Sequence, residues 1–105
     1  MKLIRQGDLM FVPVSSIPED RKRRELGIIM EGEVTGHHHR IAEMDAAEVF
    51  ESGWRNDVFV QVGEKGVSII HEEHHAVTLE PNTTYQVSRA REFDYLTAVT
   101  RPVAD

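Results

Sequence analysis

Short runs rich in β-branched residues, each alternating or nearly so, recur along this chain, and Gly, Pro, Asn or Ser closes most of them within a few residues. A period of two places successive side chains on opposite faces of a strand and leaves little room for helix. The pattern predicts strands over 9–14, 28–30, 33–42, 47–51, 58–62, 67–71, 76–79, 85–89 and 95–100. Pro13 has no amide hydrogen for a ladder, which places it at an edge or a bulge. Gly63-Glu64-Lys65-Gly66 separates two β-branched runs and predicts a hairpin. Helical turns are expected only over 18–26 and 43–47. Eight or nine short strands at this spacing predict an all-β small barrel or sandwich, a single domain over 1–105.

Composition narrows the function classes. The chain has 105 residues and no cysteine, which excludes disulfide frameworks, thiolate zinc fingers and thiol catalysis. With 12 Lys+Arg against 18 Asp+Glu the net charge is −6, which argues against a protein bound mainly to duplex phosphate. Residues 1–25 carry six basic and four acidic residues; residues 26–88 carry three and eleven. The basic cluster Arg21-Lys22-Arg23-Arg24 reads as a solvated loop or short helical turn. No apolar run reaches membrane-spanning length, and the first eight residues turn polar too early for a signal peptide. A soluble cytoplasmic protein is expected.

All six histidines lie in the acidic middle segment, in two groups: His37-His38-His39 and His71-Glu72-Glu73-His74-His75. Strand parity puts His37, His39 and Ile41 on one face and His38 on the other. His71 continues the inward stripe of Val67 and Ile69. Glu72-Glu73 is a poor strand former. A turn there returns His74, rather than His75, to the His71 face. Neutral imidazoles with optional carboxylates suit Zn, Ni, Fe or Mn. His37, His39, His71 and His74 are therefore the expected metal ligands. Glu43 and Glu73 are expected behind the ligands, as alternate ligands or as the candidate catalytic base. His38, Glu72 and His75 are expected to face away. The competing expectation is a hydrogen-bonded His/Glu network without an ion.

Elsewhere the residues carry less chemistry. Ser15-Ser16 has no base nearby, and no phosphate-binding or dinucleotide fingerprint occurs. Trp54 reads as a plug over the core or a sheet edge. Tyr85 and Tyr95 are expected at strand ends with wet hydroxyls. Arg89, Arg91 and Glu92 read as an exposed, salt-bridged strand.

The stretch Gly32-Glu33-Val34-Thr35-Gly36-His37-His38-His39-Arg40-Ile41, with His71-Glu72-Glu73-His74 and Gly7-Asp8-Leu9-Met10-Phe11-Val12-Pro13-Val14, resembles a family of small bacterial and phage-associated proteins of unassigned function. That resemblance covers most of the chain and supports His37, His39, His71 and His74 as the site. A weaker resemblance is to cupins: His37-x-His39 followed by Glu43 fits the H-x-H-x3-E core of their first motif. It implies His37, His39 and Glu43 as ligands of a metalloenzyme acting on a small acid. Gly32 stands one residue too close to His37 for the usual leader. Glu80-Pro81-Asn82 lacks the Gly of the second motif, and no suitably spaced His follows it.

Two function classes follow. Four saturating histidines would make a structural site in a binding or assembly module. Three ligands and a water would make a site for hydrolysis or for holding a small acid. A small pocket on a 12.0 kDa chain favours completion by a second copy, as a homo-oligomer. A nucleic-acid or phage–host interaction would rest on the basic loop alone.

Overall fold

The computed structural model describes residues 2–25, 28–31, 37–53 and 57–89. They form ten strands and no helix: β1 (Ile4–Gln6), β2 (Leu9–Val14), β3 (Lys22–Arg24), β4 (Ile28–Glu31), β5 (His38–Ile41), β6 (Ala47–Glu51), β7 (Val58–Val62), β8 (Val67–Ile70), β9 (Val77–Leu79) and β10 (Thr84–Arg89). Two antiparallel sheets, in the orders β1-β2-β10-β7-β6-β3 and β4-β5-β8-β9, make a sandwich and not a closed barrel. The core lies between them. Leu9, Phe11, Val49, Val58, Val60, Val62, Tyr85 and Val87 come from the larger sheet, and Ile29, Ile41, Val67, Ile69 and Leu79 from the smaller. Fully burying each such side chain is worth about 1.5–3 kcal/mol.

Several local expectations change. The 63–66 segment turns, with the Gly66 amide donating to the Gly63 carbonyl at 3.3 Å, but it does not close a hairpin. β7 pairs with β6 and β10, while β8 pairs with β5 and β9. Both runs bury every second residue against one core, from opposite sheets. The turn is therefore a corner between layers.

Residues 22–24 are strand β3, not a helical turn. They pair with β6, and Arg24 donates to Glu51 Oε2 at 2.9 Å and to the Ile29 carbonyl at 3.0 Å. Residues 43–47 hold a single reverse turn, the Ala46 amide on the Glu43 carbonyl at 2.9 Å, before β6 begins. Pro13 pairs only with β10, because the β1 ladder ends at Phe11, so one side of β2 is an edge there as expected.

β1 is an addition that alternation does not announce. It pairs with β2 through the two-residue turn Gly7-Asp8, where Gly7 has φ +57°. Gly at the first turn position matches the twist of flanking strands in a tight hairpin. Asn82 takes φ +53°, serving where a glycine would ordinarily be used. Tyr85 is fully buried, and its hydroxyl accepts the Glu80 amide at 3.0 Å, so it is not wet. The expected strand over 95–100, with Tyr95, Trp54, Arg91 and Glu92, lies outside the described residues.

Candidate metal centre

Three segments far apart in sequence meet at one end of the smaller sheet: the β1–β2 turn, the start of β5, and the bend after β8. In β5, His39 and Ile41 are buried and Arg40 is exposed. A bulge in β4, between Ile28 and Met30, sits opposite His39 and Arg40. Bulges of this kind re-aim side chains. β8 buries Val67 and Ile69 and delivers His71 on the same face, as parity predicts. The chain then bends through 72–74, and His74 returns to the cluster.

The rings are close. Centroids of His39 and His71 are 4.4 Å apart, those of His71 and His74 4.6 Å, those of His37 and His71 5.6 Å, and those of His39 and His74 6.2 Å. His37, His71 and His74 line a cleft of about 320 Å³ with Arg5, Gly7, Asp8 and Glu73. His74 lies over Gly7: a Cβ at that position would stand 2.4 Å from His74 Nε2. Glycine thus serves both the turn and the ring above it.

The tightest ligand set among the described residues is His37, His71 and Glu72, whose donor atoms all lie within 4.8 Å of one another. His37 Nδ1 is buried with no hydrogen-bond partner among the described residues. Glu73 Oε1 stands 3.6 Å from it, beyond hydrogen-bonding reach. A buried, unmatched ring nitrogen is costly unless a proton donor or a cation meets it. Glu72, expected to face away, is thus the carboxylate that completes a three-donor set with His37 and His71. Its Oε1 accepts the His38 amide at 2.8 Å, and that bond, the first of several causes, holds its carboxyl below the usual range. His71 Nδ1 accepts the Glu73 amide at 3.0 Å.

His39 is placed differently. It is fully buried, and both ring nitrogens are engaged: Nδ1 with Gln6 Oε1 at 2.9 Å, Nε2 with Asp8 Oδ1 at 3.2 Å. Burial and then the neighbouring His71 push its pKa down, against the opposing pull of Asp8. Burial would raise the Asp8 carboxyl. The Arg89 guanidinium, the backbone amide and His39 outweigh it and hold Asp8 below the ordinary value. Arg89 pairs with Asp8 Oδ2, not along an exposed strand.

Glu43 is remote from this arrangement in its contacts. Its Oε1 accepts the Ser68 amide at 2.7 Å, which lowers its pKa, and it lines a separate cleft with Met44, Asp45 and Lys65. Glu73 and His74 line the histidine cleft. His75 contributes its carbonyl, which accepts from Gln6 Nε2.

Sequence reasoning missed Gln6, Asp8 and Arg89. They come from the β1–β2 hairpin and β10, and only the Gly-Asp turn signal at 7–8 could have raised the first two. Comparison with curated proteins and with solved structures finds no match. A family described as a domain of unknown function, DUF8820, matches residues 5–90, a span that includes every residue of this cleft, and the chain belongs to that family.

Proposed function

We propose that this protein is a divalent-metal-binding β-sandwich domain whose cleft holds one transition-metal ion through His37, His71 and Glu72. The observation that carries this reading is that one donor atom from each of the three lies within 4.8 Å of the others, in a cluster where His37 Nδ1 is buried and unmatched among the described residues. Ligands of one tetrahedral ion with bonds near 2.0–2.1 Å stand roughly 3.3 Å apart. Rotation of the exposed Glu72 carboxylate and of the rings closes the difference. Two imidazoles and a carboxylate suit Zn, and equally Ni, Fe or Mn. His74, exposed on the same cleft, is the fourth ligand if the site is saturated. Without it the fourth position opens to solvent, where the metal acidifies water or holds a small acid, with Glu73 beside it as base.

Metal capture at His71 carries a specific requirement. Nδ1 accepts the Glu73 amide, so binding at Nδ1 displaces that amide, and binding at Nε2 needs Nδ1 protonated. Either way the bond is broken, at a cost of about 1 kcal/mol.

The runner-up is a hydrogen-bonded network with no ion, favoured by the two engaged nitrogens of His39. Metal content separates the two. Untagged protein purified without nickel resin should contain near one metal per chain, lost in the His37→Ala/His71→Ala double variant, with the Glu73 amide resonance shifting on loading. Folded protein that takes up no Zn, Ni, Mn or Fe at micromolar concentrations would exclude the metal reading.

A further inference from the structure

Gln6 is 2% exposed and sits at the end of β1, below the cleft. Its Nε2 donates to the Ile69 carbonyl at 2.8 Å and to the His75 carbonyl at 2.9 Å. Those two carbonyls bracket the segment that carries His71, Glu72, Glu73 and His74. A primary amide nitrogen has two hydrogens, and both are used here. Inverting the amide would set its oxygen against two carbonyl oxygens, so its orientation is fixed by the contacts. Oε1 is therefore an acceptor, and its 2.9 Å contact with His39 Nδ1 requires the proton to be on Nδ1. Nε2, 3.2 Å from Asp8 Oδ1, donates to that carboxylate only when it carries a second proton.

We propose that Gln6 is the positioning residue of the centre: one buried amide clamps both ends of the 69–75 bend and selects the tautomer of His39 beneath it. The affinity part of this proposal rests on the metal reading above; the clamp and the tautomer do not. The physical case is economy of contacts. The bend makes few ladder hydrogen bonds of its own, and the adjacent acids Glu72 and Glu73 repel one another. A ligand-bearing segment of that kind keeps its shape only if something outside it holds its ends. Gln6 reaches it from 63 and 69 residues away in sequence.

The test compares wild type with Gln6→Met, which keeps volume and removes all three hydrogen bonds. Zn2+ is the probe. Expected are a loss of Zn2+ affinity of about 10–100-fold, as for other residues that hold ligands in place, faster amide exchange across 71–75, and loss of the single Nδ1–H pattern of His39 in nitrogen-15 spectra. Affinity within twofold of wild type, together with an unchanged His39 spectrum, would overturn the proposal. Wild-type protein decides the matter even if the variant does not fold: a His39 ring protonated on Nε2 and not on Nδ1 at neutral pH, or an unprotected Glu73 amide, would overturn it, and an Nδ1–H ring with a protected Glu73 amide would support it. If wild type takes up no Zn2+, the metal reading fails by itself, and exchange and tautomer still judge the clamp.

Discussion

His39 carries a pH dependence whose sign follows from its surroundings. The folded state disfavours the charged ring, so it binds fewer protons than the unfolded chain. The stability this contributes is complete above the ordinary imidazole value of 6.5 and falls as the pH drops through 6.5 toward the lowered folded-state value. Urea midpoints measured from about pH 8 to pH 5 should therefore fall on the acid side, and less steeply in His39→Gln. Equal slopes in the two proteins would place the effect elsewhere. Gly7→Ala is the second residue-scale prediction. The left-handed φ costs about 1–2 kcal/mol in an L-residue, and the new methyl displaces His74. A drop in the unfolding midpoint with a shifted His74 ring resonance is expected; a variant as stable as wild type would contradict the φ argument. Parity along β5 and β8, with a turn at Glu72-Glu73 to return His74, was enough to bring His37, His39, His71 and His74 toward one place. Parity says nothing of which ring nitrogens are already engaged, because Gln6, Asp8 and Arg89 arrive from other strands.

At the scale of elements, the two arginines of β3 make a controlled contrast. Arg24 links β3 to Glu51 on β6 and reaches across to the Ile29 carbonyl on β4, in the other sheet. Arg23 pairs with Glu48 at 3.2 Å with side chains 65% and 48% exposed. Arg24→Met should cost about 1–2 kcal/mol, since it orphans a carbonyl and a partly buried carboxylate. Arg23→Met should change stability by less than ~0.5 kcal/mol. Chemical denaturation of both variants checks the ordering. Most strands were legible: residues 9–14, 47–51 and 58–62 match β2, β6 and β7 residue for residue. Partners were harder to read. Val58, Val60 and Val62 and then Val67 and Ile69 announce two buried strands and a turn, but that pattern is the same whether the second strand pairs with the first or crosses to the opposite layer. β3 was hidden because charge masks its alternation; its pairing depends on Glu48 and Glu51, more than twenty residues away.

For the whole molecule, an ion held only by the folded state stabilises it by mass action. Free metal at 100 times its dissociation constant should add about 2.7 kcal/mol to unfolding, and a chelator should reverse it. Melting curves with and without Zn2+, repeated on the His37→Ala/His71→Ala double variant, test this; a shift that survives in the variant would point to other sites. The larger sheet also has a temporal consequence. β10 lies between β2 and β7, so the layer is two separate ribbons until residue 89 exists. The cleft needs 5–8, 37–39 and 71–75 at once. On the proposed metal reading, the growing chain could then recruit an ion at this site only after residue 75 had left the ribosome, so uptake would follow the assembly of the cleft.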